Sequence, residues 1–185
     1  MELHTRNLLL RPYVLSDSAI VAASIDYDLA KDVKLPWPYS ENDAIEFINL
    51  TNSQEYKKDN WVFAIINKAT NQFIGSCGLH DKKEEGYTLG IWLIKSAQNK
   101  TYGVEAMAVL AKWGFEELNI EKYNSRFFEY NERSKKLQLG AGSVIVRQKM
   151  EYVAATGKEE VCIITELTKE TFYKNIDKYK RLLGI

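Results

Sequence analysis

Cysteine and proline are scarce in this 185-residue chain, and there is no net excess of acidic or basic residues. The two cysteines, Cys77 and Cys162, are far apart and show no metal-ligand spacing, so neither a disulfide framework nor a zinc site is expected. A reducing, cytoplasmic home is the default. Three prolines (Pro12, Pro36, Pro38) leave no Pro-rich linker, and no repeat or low-complexity tract occurs. Lys plus Arg equals Asp plus Glu at 25 each, which disfavours bulk binding to a nucleic-acid backbone. Apolar runs stop at about six residues, too short for a membrane span. The opening Met1 to Arg6 has no apolar stretch behind a basic one, so no signal peptide is read there. The sequons at Asn49 and Asn99 then read as chance matches.

The remaining composition, 45% apolar and 27% charged, is that of an ordinary globular domain. The length fits a single domain over 1–185.

Along the chain, Leu8 to Tyr13 reads as a strand ended by Pro12. The spacing of Ile20, Ala23 and Tyr27 predicts one helix from Asp17 to Leu29. Leu35 to Tyr39 is a proline-stiffened loop, and Ser40 with Asp43 resembles a capping box that opens a second helix. Trp61 to Ile66 and Phe73 to Leu79 read as a hairpin. Lys82 to Gly86 reads as a solvated turn before a strand at Tyr87 to Leu93. A helix follows from about Val104 to Leu118, then a strand from Tyr123 to Phe128. Asn131 caps a helix ending near Gly140, strands follow at Val144 to Arg147 and Val161 to Glu166, and Thr168 caps a final helix over about 169–183. Its apolar stripe, Phe172, Ile176, Tyr179 and Leu183, packs either on its own core or on a second subunit, which leaves a homodimer open. The order is mixed α/β without regular βαβ alternation.

The junction from Ala97 to Gly103 leads a strand directly into a helix and aims free N–H groups at whatever lies above it. Lys100-Thr101 suggests a Walker A loop, but the glycines that loop requires are absent. An ordinary strand–helix connection is the other reading.

Leu89-Gly90-Ile91-Trp92-Leu93, then Gln98 to Ala106, then Asn131-Glu132-Arg133-Ser134 stand in an order that resembles the GNAT superfamily of N-acetyltransferases, in its RimJ/RimL-type branch. Gln98, Thr101 and Gly103 occupy the places of that family's phosphate-loop motif, and Asn131 and Ser134 those of its Asn-x-x-Ser helix start. The resemblance covers nearly all of residues 5–170. Thr101 departs from the family's loop glycine, and Ser143 from the aromatic that usually follows Gly142.

The resemblance implies a GNAT-like acyl-CoA N-acyltransferase fold: a central, mostly antiparallel sheet splayed at the cofactor cleft between Tyr87–Leu93 and Tyr123–Phe128, flanked by helices. It implies an acetyl-CoA-dependent N-acetyltransferase with acetyl-CoA as cosubstrate and no metal. Backbone contacts to the pantetheine arm fall to Trp92, Leu93 and Ile94, with the amide of Leu93 or Ile94 as oxyanion donor. The phosphate loop comprises Gln98, Asn99, Lys100, Thr101, Tyr102, Gly103 and Val104, and Asn131 bonds the arm. Ser134 is the implied acid and Glu151 the implied base in direct transfer to an amine.

Each assignment has a plainer counterpart. Ser134 also completes a helix cap, Glu151 also fits a solvated strand-end carboxylate, and Tyr130 stands as a second acid or as packing. His80 reads as structural in preference to a base. Between Asp26 and Asp59 lie eight acidic and four basic residues, a local charge of −4. An acidic acceptor wall would attract a cationic amine such as a polyamine or a protein N-terminus, with Trp37 and Tyr39 at the entrance. Ordinary charged helix faces are the alternative. A non-catalytic acyl-CoA-binding or sensing domain of the same fold is the competing function.

Overall fold

The computed structural model describes residues 1–81 and 86–184. The turn at Lys82 to Glu85 lies outside the described residues. Five strands, β1 (Leu3–His4), β2 (Leu8–Arg11), β3 (Asn60–Asn67), β4 (Gln72–Asp81) and β5 (Tyr87–Leu93), form one sheet in chain order, every pair antiparallel. Three more, β6 (Lys122–Phe128), β7 (Val144–Val153) and β8 (Lys158–Thr168), form a second antiparallel sheet in the order β6-β8-β7.

The apolar run at Trp61 to Ile66 is explained by layers on both faces of the first sheet. Phe63 and Ile65 pack in the main core with Leu79, Leu110, Phe115 and Leu183. Ala64 and Ile66 face a second cluster with Tyr13, Val21, Ala44 and Ile48. Helix α4 (Tyr102–Glu117) covers the first face; α1 (Ser18–Ser24) and α3 (Glu41–Asn52) cover the other.

The single helix read from Asp17 to Leu29 is in fact divided. A 3-10 turn (Leu15–Asp17) runs into α1, Ile25 is extended, and α2 (Tyr27–Val33) starts afresh. The cause is Asp26, whose carboxylate accepts the Leu29 N–H at 2.9 Å and caps the new helix. The box at Ser40 and Asp43 is present as read, and α3 follows it.

The last helix also divides. After the Thr168 cap come α6 (Lys169–Lys174), a 3-10 turn (Ile176–Lys178) and α7 (Lys180–Leu183). Phe172, Tyr179 and Leu183 are buried in the main core, so the apolar stripe is used within the chain. The remaining helix, α5 (Glu132–Gly140), begins at Asn131, whose side chain accepts the Ser134 N–H at 3.1 Å.

Candidate active site

The two sheets meet between β5 and β6. Ser125 Oγ donates to the Leu89 carbonyl at 2.9 Å, and Gly86 lies near Asn124, which ties the strands at their starts. Further along, a cleft of about 830 Å³ opens between them, roofed by α2 and closed by the loop into α4 and by α5.

Helix α4 presents its N-terminus to this cleft. Its first turn is closed by Glu105 N–H to the Thr101 carbonyl at 2.9 Å, and no side chain caps it. Among the described residues, the amides of Tyr102, Gly103 and Val104 therefore remain open, at the positive end of a 16-residue helix. Thr101 has φ −72°, so the glycine it replaces is not demanded by the backbone. The left-handed residue of the loop is Asn99, at φ 57°, a residue type that tolerates it. Gln98, Asn99, Lys100, Gly103 and Val104 line the cleft, whereas Thr101 and Tyr102 do not. The Tyr102 hydroxyl accepts from Asn67 Nδ2 at 3.0 Å, away from the loop mouth.

The backbone of β5 has two edges, and successive residues alternate between them. Ile94 N–H donates to the Ile74 carbonyl at 3.0 Å, and the Trp92 carbonyl is turned onto Gly75 of β4. Leu89 and Leu93 carbonyls face the other way, toward Ser125 Oγ and Gln98 Nε2 (2.8 Å). The Ile94 amide and the Trp92 carbonyl thus point into the β4 side of the strand, and Trp92 and Leu93 both line the cleft. Ile91, two residues before Leu93, shares its strand edge and also lines the cleft.

Ser134 lines the cleft, and its Oγ accepts from Gln138 Nε2 at 2.9 Å. Gln138 is buried; its Nε2 also donates to the Arg126 carbonyl at 2.9 Å and its Oε1 accepts from Thr165 Oγ1 at 2.6 Å. With the serine oxygen acting as acceptor, its hydrogen is left to donate elsewhere. Gln138 was not singled out from the sequence, yet it lies one helical turn after Ser134, the spacing that brings side chains together.

The family described as acetyltransferase (GNAT) domain matches residues 7–144. The chain belongs to the GNAT acetyltransferase family. It is 27% identical over 143 residues to the uncharacterized N-acetyltransferase p20 of Bacillus licheniformis, covering 73% of this chain and 78% of that protein. Its fold is similar to the ribosomal-protein-S5-alanine acetyltransferase of Vibrio fischeri (TM-score 0.76, 17% identity, 92% of this chain and 97% of that one). It is equally similar to the spermidine N-acetyltransferase of Vibrio cholerae, solved with CoA and spermine (TM-score 0.77, 15% identity, 90% and 98%).

In this GNAT chain Glu151 stands apart from the cleft lining. Its buried carboxylate accepts from Lys34 Nζ at 2.8 Å and Arg126 Nη1 at 3.1 Å, and pairs with Lys149 at 2.9 Å. Burial alone would raise its pKa. Bonds from Lys34 and Lys149 and the Arg126 charge outweigh burial and bring it to about 2. Such a carboxylate is a poor proton acceptor at neutral pH.

The acidic wall is narrower than the sequence count suggests. Asp26, Asp28 and Asp32 of the α2 region line the cleft; Asp43 and Glu46 do not. Asp43 instead holds the Ser40 N–H at 2.7 Å in the α3 capping box. Lys95 pairs with Asp26 at 2.7 Å and Asp28 at 3.5 Å, and Arg133 pairs with Asp32 at 3.5 Å. Burial pushes the Asp32 carboxyl upward. Tyr39 lines the cleft. Trp37 does not; it is exposed and packs edge-on against Tyr27. Tyr130 stacks on Phe128 outside the lining, beneath the Lys31 ammonium.

Cys77 lies in the cleft wall, where burial pushes its thiol well above the ordinary range and keeps it un-ionised. Among the described residues no group of three or more His, Cys, Asp or Glu could hold a metal, and no helix is long and apolar enough to cross a membrane.

Proposed function

We propose that the chain transfers an acetyl group from acetyl-CoA directly to a primary amine, that of a small cationic molecule or a protein N-terminus, in the manner of the RimJ/RimL-type branch. The observation that carries this reading is the uncapped start of α4 beside the outward-facing Ile91–Leu93 edge. The two features suit the two ends of one ligand: open amides take a pyrophosphate, and a free strand edge takes an amide-bearing arm as an added strand. Lys100 adds charge at the first end, and Asn131, at the cleft wall, bonds the arm along its length.

Acetyl-CoA supplies an acyl group on a thiolate leaving group. The chain supplies the rest. The Leu93 N–H faces the oxygen on which negative charge develops. The Ser134 hydroxyl, its acceptor side occupied by Gln138, donates to the departing sulfur. The un-ionised Cys77 offers no competing nucleophile, which supports direct attack. Asp26, Asp28 and Asp32 outnumber their partners Lys95 and Arg133, and the residual negative charge favours a cation on the acceptor side. Glu151 is assigned to anchoring Lys34, Arg126 and Lys149 and not to proton transfer.

A second copy of the chain pairing along β7 belongs to the same reading. That edge strand exposes Val144, Ile145, Val146, Met150 and Tyr152, an open ladder of the kind that recruits a partner. Sedimentation of wild type against Ile145→Lys tests it: a dimer reduced to monomer is the expected result.

Thiol release from acetyl-CoA with spermine, simple diamines and short peptides tests the activity. Release is expected with cationic primary amines. Acetyl-CoA binding without release to any amine would turn the reading to a non-catalytic acyl-CoA-binding domain.

A further inference from the structure

Gly90 stands in the middle of β5 without a packing reason to be glycine. A Cβ built there would meet nothing within 4 Å among the described residues. Its partner across the ladder, Gly78 of β4, is different. A Cβ on Gly78 would crowd the Trp61 carbonyl at 3.0 Å and Val62 Cγ2 at 3.2 Å. The surroundings therefore keep Gly78 bare. They make no such demand on Gly90, and glycine inside a strand weakens it, so the open space there points to a ligand that comes close to the backbone.

The register shows what borders that space. Val62, Gly78 and Gly90 form one cross-strand row, and Ala64, Ser76 and Trp92 form the next row on the same face. This is the face covered by α1 and α3, opposite the one covered by α4. Trp92 bounds the space on one side, its ring centroid 5.8 Å from that of Phe73 and edge-on to it. Val21, Ile25, Leu29 and Phe47 line the same cleft from the helical layer. Ser76 Oγ, beside the bare row, is already engaged by the Phe63 carbonyl at 3.1 Å. The Leu89 carbonyl, one residue before Gly90, takes Ser125 Oγ at the closed end of the cleft. The space over Gly90 thus lies at the inner end of the cleft, beside the Ile91–Leu93 edge.

The roof adds little charge. Asp26, Asp28 and Asp32 face Lys95 and Arg133, which leaves at most one negative charge for an acceptor. That balance suits one ammonium and not the several of spermine.

We propose that this chamber selects a primary amine carried on an apolar body of ring size, with the Val62–Gly78–Gly90 row as its floor and Gly90 as the residue that sets the room. The proposal rests on the amine-acetylation reading above and names its acceptor class. An arylalkylamine has this chemistry, and so does a peptide N-terminus whose first side chain is aromatic.

The test measures thiol release from acetyl-CoA with phenethylamine, spermine, and short peptides beginning with Phe or with Ala. The faster of phenethylamine and the Phe peptide identifies the source of the amine. Its kcat/KM is expected to exceed those of spermine and the Ala peptide about 30-fold, the gain from burying a phenyl ring. Gly90→Val should raise the KM of that acceptor about 30-fold and Gly90→Ala about 3-fold, because each methyl fills part of the chamber. Acetyl-CoA affinity by titration should stay within about 3-fold in both variants, which separates a filled chamber from a damaged fold. An active wild type that turns over spermine or the Ala peptide as fast as the ring-bearing acceptors would overturn the proposal alone. So would a Gly90→Val protein that binds acetyl-CoA and keeps the acceptor KM within about 3-fold of wild type. A wild type that turns over no amine overturns the acetylation reading, and this one with it.

Discussion

At the scale of the residue, chemistry and position separate clearly. Ser134 and Asn131 were legible because an Asn-x-x-Ser start places both on the first turn of a helix. The structure keeps the cap and adds the Gln138 contact that orients the serine oxygen. Ser134→Ala is expected to lower kcat by about 10- to 100-fold with acetyl-CoA affinity unchanged, measured by thiol release and titration. The ion pairs of Glu151 were not legible, since its partners Lys34 and Arg126 come from distant parts of the chain. Its pKa, about 2 against an ordinary 4.5, makes its stabilisation complete above pH 4.5 and lost as pH falls through about 2. Glu151→Gln should cost about 2 kcal/mol at pH 7 once solvent screening of its partners is allowed for. The gap to wild type in urea unfolding should close on acidification. Thr101 stands where the family has a loop glycine. Its helical φ and its place outside the cleft lining predict that Thr101→Gly alters acetyl-CoA affinity less than about 3-fold by titration.

At the scale of the element, strands and capped helix starts were legible and helix interruptions were not. The apolar run of β3, the capping box of α3 and the Thr168 cap are short-range signals. The break between α1 and α2 follows from one Asp26 bond, which competes with continued helix and leaves the apolar spacing almost unchanged. The direction of the β5 amides is a matter of pairing register, which no single-strand pattern reveals. Helix α4 is fixed from its own first turn: the fully buried Glu105 accepts from Thr5 Oγ1, from the Asn7 amide at 2.7 Å and from Asn7 Nδ2 at 2.9 Å. Glu105→Ala strands those donors and should cost about 3 kcal/mol in chemical denaturation. Because this helix carries the open amides, acetyl-CoA affinity should fall as well.

At the scale of the whole molecule, the cleft is where two antiparallel sheets stop pairing. The α2 region bridges it by charge: Asp26 and Asp28 to Lys95, Asp32 to Arg133, and Lys34 to Glu151. A chain neutral overall therefore places three carboxylates, partly neutralised by Lys95 and Arg133, over one end of its cleft and a positive helix terminus at the other. Asp26→Asn with Asp28→Asn should raise the KM of a polyamine acceptor about 5-fold, with the effect shrinking at high salt, while acetyl-CoA affinity holds. An unchanged KM would remove the acidic roof from acceptor recognition. The most direct measurement is calorimetric titration of acetyl-CoA, with thiol release followed in the same sample on adding spermine or a short peptide. Micromolar binding followed by release is predicted. No binding of acetyl-CoA would contradict the assignment of the α4 start and the β5 edge as its site.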